Sequence, residues 1–194
     1  HRAKYVPVGK DQEQHLEMTR NFAQRFNHRY GDVFPEPMAF NFGETLLKVP
    51  SLDGTGKMSK SENQMATLYL ADDDESIRKK LMKAVTGEAP AEKNSVMPDS
   101  VANLFLLMEL VSTQEVIAQY KNDYSNCRIR FGDMKKQLAE DMVKFIAPIR
   151  QKANSILADE NYLEKIMRQG ADKARKSANA SMELVRQAMG LKYF

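Results

Sequence analysis

Two ammonium groups and two hydroxyls fall within five residues at Lys57-Met58-Ser59-Lys60-Ser61. A departing polyphosphate calls for such a set. Lysines neutralise the charge that grows as a phosphorus–oxygen bond breaks, and hydroxyls donate to nonbridging oxygens. The string follows Ser51-Leu52-Asp53-Gly54-Thr55-Gly56, a polar segment with two glycines that is expected to be mobile. A loop that closed only around bound nucleotide would apply those charges mainly in the transition state. On charge alone the segment also reads as an ordinary basic surface loop. The exact string adds weight, because a given pentapeptide arises by chance in about one in ten thousand chains of this size.

The elements that must position these residues follow from pattern. Tyr5-Val6-Pro7-Val8 is short, apolar and β-prone, and Gly9 ends it. From Asp11 the sequence takes helical period, with Leu16, Thr19, Ala23 and Phe26 on one stripe flanked by Phe22. Asp11 and Glu13 favour the positive end of that helix, and Asp11 could serve as its cap. A strand, a glycine turn and a helix N-terminus form the local unit on which α/β folds place ligands. Pro35, Pro37 and Pro50 then punctuate the chain, and Leu46-Leu47-Lys48-Val49 predicts a short strand leading into the lysine loop. After Ala71 the reading is helical. Asp72 and Glu75 have capping-box spacing, with Ile77, Leu81, Ala84 and Val85 as the apolar stripe beyond. Gly87–Pro98 reads as a loop. Apolar periodicity predicts further helices over about 100–121, 133–157 and 160–188, the second of these kinked by Pro148.

Composition bounds the function classes. The 194 residues suffice for one large domain or two modest ones, and 42% hydrophobic with 28% charged residues is a globular balance. No run approaches the about 18 apolar residues of a membrane span. A single cysteine, Cys127, excludes a disulfide framework or a cysteine-based zinc site and points to a reducing, cytosolic compartment. The net charge of +3 divides as +3 over residues 1–30, −4 over 31–130 and +4 over 131–194. No dense basic arm is present to bind nucleic acid without specificity. His15 is open as ligand, base or surface residue, and His1 and His28 have no carboxylate or cysteine at metal-ligand spacing, so no metal site is expected. Met108, Met134, Met142, Met167 and Met182 read as core filler. Lys79, Lys80 and Lys83 read as a solvated helix face, with RNA contact the alternative.

The pentapeptide is the KMSKS motif of class I aminoacyl-tRNA synthetases, and the chain resembles that class there. The stretch from Tyr5 through Gly9-Lys10-Asp11-Gln12 to Arg20 resembles the second nucleotide-binding segment of bacterial-type tryptophanyl-tRNA synthetases. The segments Asp72–Thr86 and Gly170–Leu191 are similar to the same family. The fold implied is α/β: the second half of a Rossmann-type catalytic domain over residues 1–70, carrying the KMSKS loop, followed by an all-α anticodon-binding domain over 71–194. Its last helix would pack back on the catalytic part.

The resemblance implies the following roles. Gly9, Lys10 and Asp11 border ATP, with Asp11 accepting from ribose hydroxyls and Gly9 admitting a close backbone. Gln12 faces the amino or carboxyl group of tryptophan. Val49 and Met58 lie against adenine through their backbones. Lys57 and Lys60 contact the phosphates, supported by Ser59 and Ser61. Many family members have glutamate where this chain has Lys10, so the contact there is one of backbone. The implied partners are ATP with substrate-associated Mg²⁺, L-tryptophan and tRNA(Trp). The implied setting is a cytoplasmic or organellar homodimer with no membrane role. The family's His-x-Gly-His motif does not follow His1, His15 or His28, so that motif, the first strands and most of the indole pocket would lie before residue 1. The activity implied is tryptophan adenylation and transfer to tRNA. The alternatives are a tyrosyl-tRNA synthetase and an inactive helical tRNA-binding module.

Overall fold

A computed structural model describes residues 1–40, 48–59 and 63–191. The chain divides into two compact units, His1–Leu46 with Asp159–Phe194, and Leu47–Ala158.

In the first unit, strand β1 (Tyr5–Pro7) leads through a single 3₁₀ turn into helix α1 (Glu13–Tyr30) and on to strand β2 (Met38–Phe40). The strands pair in parallel, Tyr5 with Met38, Val6 with Ala39 and Pro7 with Phe40. This is a βαβ crossover, the repeating unit of a Rossmann-type sheet and the α/β component expected. Pro7 is tolerated because it ends its strand. Leu16 and Ala23 of the predicted stripe are buried and Phe26 is half-buried, its ring against Tyr30 and Phe34. Asn27 organises the return: its side-chain oxygen accepts from the amides of Val33 and Phe34, and its amide donates to the Phe34 carbonyl. Helix α6 (Glu160–Ala188) falls in this unit. His1 Nδ1 meets the Ser177 hydroxyl at 2.9 Å.

The second unit is helical: α2 (Asp74–Met82), α3 (Asp99–Val111), α4 (Gln114–Ser125) and α5 (Phe131–Leu157). Its core joins Ile77 and Leu81 of α2, Leu104 and Met108 of α3, and Met134 and Leu138 of α5, all at most 2% exposed. The helix predicted over 100–121 is two helices. Ser112 and Thr113 are extended at the break, and the Ser112 hydroxyl donates to Asp141 of α5 at 2.7 Å. Serine and threonine hydroxyls compete well with the helical backbone, which is why the break falls there. Pro148 lies inside α5, which runs on through it to Leu157.

The start of α2 also differs from expectation. Asp73, not Asp72, is the cap, accepting from the Ser76 amide at 2.7 Å. That bond holds the Asp73 carboxyl below its ordinary 3.8, with Arg150 and Lys80 adding smaller attractions. A depressed carboxylate stabilises the fold above its unfolded value, and the stabilisation is lost as pH falls through the folded one. Asp73→Ala is therefore expected to lower the melting temperature at neutral pH. The gap to wild type should shrink at about pH 3, and thermal melts followed by helical circular dichroism at the two pH values check it.

Burial corrects two further expectations. Met167 and Met182 are not core filler, being 71% and 44% exposed, whereas Met108, Met134 and Met142 are buried. Lys80 is not on a solvated face, being 7% exposed. No helix among the described residues is long and apolar enough to cross a membrane.

Candidate functional site

The predicted site residues fall in both units. Gly9, Lys10, Asp11 and Gln12 form one exposed turn in the first unit. The Gln12 amide donates to the Gly9 carbonyl at 2.9 Å, closing the 3₁₀ turn that opens α1. Asp11 does not cap the helix. Instead it accepts from the Gln12 side-chain amide at 3.2 Å, which leaves its carboxylate at the surface beside the positive helix end. Glycine at position 9 has a steric reason, since a Cβ there would lie 2.8 Å from Asp11 Oδ1 and push that carboxylate aside.

Val49, Lys57, Met58 and Ser59 lie in the second unit, with Lys60 and Ser61 outside the described residues. Leu46 and Leu47 of the predicted strand are likewise outside them, and Lys48 and Val49 are not in a strand. The segment before the lysines is a hydrogen-bonded turn. Pro50 bridges Lys57 antiparallel, Ser51 donates to the Gly56 carbonyl at 2.9 Å, and Met58 donates to the Val49 carbonyl at 2.8 Å. Thr55 donates to Asp53 from its amide and its hydroxyl, which keeps the Asp53 carboxyl below its ordinary value. Gly54 and Gly56 take φ of 78° and 109°, a backbone conformation that a side chain at either position would strain. One end is anchored. Leu52 is 4% exposed, donating to Ala66 and accepting from Val85. The tip at Gly54–Gly56 and Lys57 itself are exposed.

Val49 and Met58 also line an apolar cavity of about 740 Å³, walled further by Tyr69, Leu107, Val111 and Phe145. The arrangement presents an exposed ammonium on a braced turn beside a greasy recess large enough for a planar ring. Sequence reasoning missed two features. Strand β2 is only three residues long and directly follows Pro35 and Pro37, which gives a weak signal. Lys80 and Asp72 make a buried pair at 2.6 Å that only packing reveals.

Comparison with known proteins follows the same lines. A tryptophan–tRNA ligase of Porphyromonas gingivalis is 52% identical over 193 residues, covering 99% of this chain and 58% of the relative. One of Chlamydia caviae is 35% identical, covering 98% and 54%. The tryptophanyl-tRNA synthetase of Campylobacter jejuni, solved as a complex with ADP and tryptophan, superposes with a TM-score of 0.80 at 29% identity, covering 97% of this chain and 57% of that one. The chain thus spans a little over half the length of the relatives it matches. The model of the family described as tRNA synthetases class I (W and Y) matches residues 1–147. The chain belongs to that family of class I tRNA synthetases.

Proposed function

We propose that this chain is the C-terminal portion of a bacterial-type tryptophan–tRNA ligase, which activates L-tryptophan with ATP and transfers it to tRNA(Trp). The observation that carries the reading is the 52% identity to a tryptophan–tRNA ligase across 193 residues, spanning both residue clusters. The complex of the Campylobacter jejuni relative with ADP and tryptophan supports the same ligands. The relatives' names do not favour the tyrosyl or inactive-module alternatives.

In the reaction, a tryptophan carboxylate oxygen attacks the α-phosphorus and the bond to the β-phosphate oxygen breaks, releasing pyrophosphate. Asp11, exposed and uncommitted to capping, accepts from the ribose hydroxyls, while Gly9 and the Lys10 backbone allow ATP to approach the turn. Gln12 orients the tryptophan amino or carboxyl group. Adenine lies against Val49 and Met58, at the apolar recess they line. Lys57 and Lys60 neutralise the charge gathering on the departing pyrophosphate, and Ser59 and Ser61 donate to its oxygens. Mg²⁺ enters on the phosphates as part of the substrate. Among the described residues no group of three His, Cys, Asp or Glu side chains could hold it. Residues 1–70 serve as the second half of the catalytic domain, and residues 71–194 meet the tRNA anticodon. The parent enzyme works as a homodimer in the cytoplasm or an organellar matrix.

Tryptophan-dependent exchange of pyrophosphate into ATP by the parent protein tests the proposal. Exchange with tyrosine instead, or with neither amino acid, would overturn it. The 194-residue chain by itself is expected to show no exchange, because the segment with the His-x-Gly-His motif is needed to complete the nucleotide site. Exchange by the isolated chain would refute that expectation.

A further inference from the structure

Lys80 is the third residue from the end of α2 and bears no motif. Its ammonium is nevertheless the centre of a buried network. Nζ donates to the Thr67 carbonyl at 2.9 Å and to Asp72 Oδ2 at 2.6 Å, and stands 4.8 Å from the centre of the Tyr69 ring. The same Asp72 oxygen accepts from the Tyr69 amide at 2.9 Å. Arg150 of α5 donates to the Asp72 carbonyl and pairs with Asp74. One cation therefore fixes the strap of residues 67–72 at a carbonyl, a ring and a carboxylate. Side-chain exposures of 9% for Lys80 and 14% for Asp72 place this pair away from bulk water, where charge–dipole geometry is most exacting.

The strap in turn holds the KMS residues. The Thr67 hydroxyl donates to the Ser59 carbonyl at 2.9 Å, and the Leu68 amide contacts Met58 Sδ at 3.3 Å. Thr67 itself is 4% exposed, so its hydroxyl direction is set by packing and by the pinned carbonyl. All of these residues lie in the unit Leu47–Ala158. A path of direct contacts runs Lys80, Thr67, Ser59, and ends at the residues proposed to meet phosphate.

We propose that Lys80 is a positioning residue for the KMSKS segment. Through Thr67 it sets where Met58 and Ser59, and with them Lys57, stand when the nucleotide reacts. This rests on the phosphate-binding reading of the segment. Lys80 itself touches no substrate. A device of this kind matters because a catalytic group displaced by a fraction of an ångström loses much of its transition-state stabilisation.

The test uses the parent enzyme with Thr67→Val, Thr67→Ser, Lys80→Met and Lys57→Ala. It reads both amide hydrogen exchange at Met58 and Leu68 and steady-state adenylation. Thr67→Val leaves the Lys80–Asp72 pair in place, so it keeps the test open if Lys80→Met fails to fold. Thr67→Val is expected to speed exchange at both amides and to lower kcat, each by about 10-fold, with the tryptophan KM within about two-fold. Thr67→Ser, which keeps the hydroxyl, should restore both. A merely structural role would not give that rescue together with a kcat-only effect. Wild-type exchange and kcat in Thr67→Val or in a folded Lys80→Met, with Lys57→Ala impaired, would overturn this inference alone. A fully active Lys57→Ala would overturn the phosphate reading and the inference with it.

Discussion

Alanine at position 60 of the parent enzyme is expected to slow tryptophan adenylation by about 10²-fold or more, with little change in tryptophan affinity. The split follows from when the ammonium acts. Negative charge on the pyrophosphate oxygens grows only as the bond to the α-phosphorus breaks, so on the proposed reading the second lysine of the motif would stabilise the transition state more than bound ATP. Lys57 gives the structural precedent. It is exposed at the end of a turn tied by Pro50, Val49 and Thr67 contacts, and it forms no ion pair among the described residues. Lys60 follows three residues on in the same five-residue string. Lys60→Arg, which keeps charge but changes shape and donor layout, should recover only part of the rate. Pre-steady-state adenylate formation at saturating tryptophan measures both variants, and an unchanged rate in Lys60→Ala would remove the lysine from the mechanism.

What the sequence could disclose was what short-range chemistry dictates. Helix α1 was legible because Leu16, Thr19, Ala23 and Phe26 repeat at helical spacing; Leu16 and Ala23 are buried and Phe26 half-buried, while Thr19 is exposed. The Gly9–Gln12 turn was legible because a glycine stands between a short β-prone run and the start of helical period. Features that depend on partners distant in sequence were not. Asp72 at capping spacing from Glu75 looked like a helix cap, yet Lys80 and the Tyr69 amide claim its carboxylate and Asp73 takes the cap. Lys80 sits among lysines that look alike in sequence, and only the fold sends one inward. The glycines of Ser51–Gly56 suggested a mobile segment; glycine also permits the positive-φ turn that backbone hydrogen bonds close here, which the sequence did not specify. Ser112-Thr113 broke a continuous apolar pattern because hydrophobic periodicity registers faces and is blind to a hydroxyl that finds a carboxylate 29 residues on.

The same contrast between type and place predicts the largest effect on stability. Leu104 and Leu106 are two residues apart in α3, share one helix propensity, and differ only in environment: 2% against 42% exposed. Leu104 faces a core built from α2, α3 and α5, whose close packing lets neighbours relax only partly into the space its truncation leaves. Leu104→Ala is therefore expected to cost about 2–5 kcal/mol, the sum of lost transfer free energy and an unfilled cavity. Leu106→Ala should cost about 1 kcal/mol or less, since much of its side chain already meets water and no cavity forms. Urea midpoints of the two variants, followed by helical circular dichroism, provide the comparison, because the substitution and its effect on the unfolded chain are the same in both. Equal shifts would mean that α3 is not packed through Leu104. The core anchoring α2, and with it the Lys80 network beneath the KMS residues, would then have to be held by other side chains.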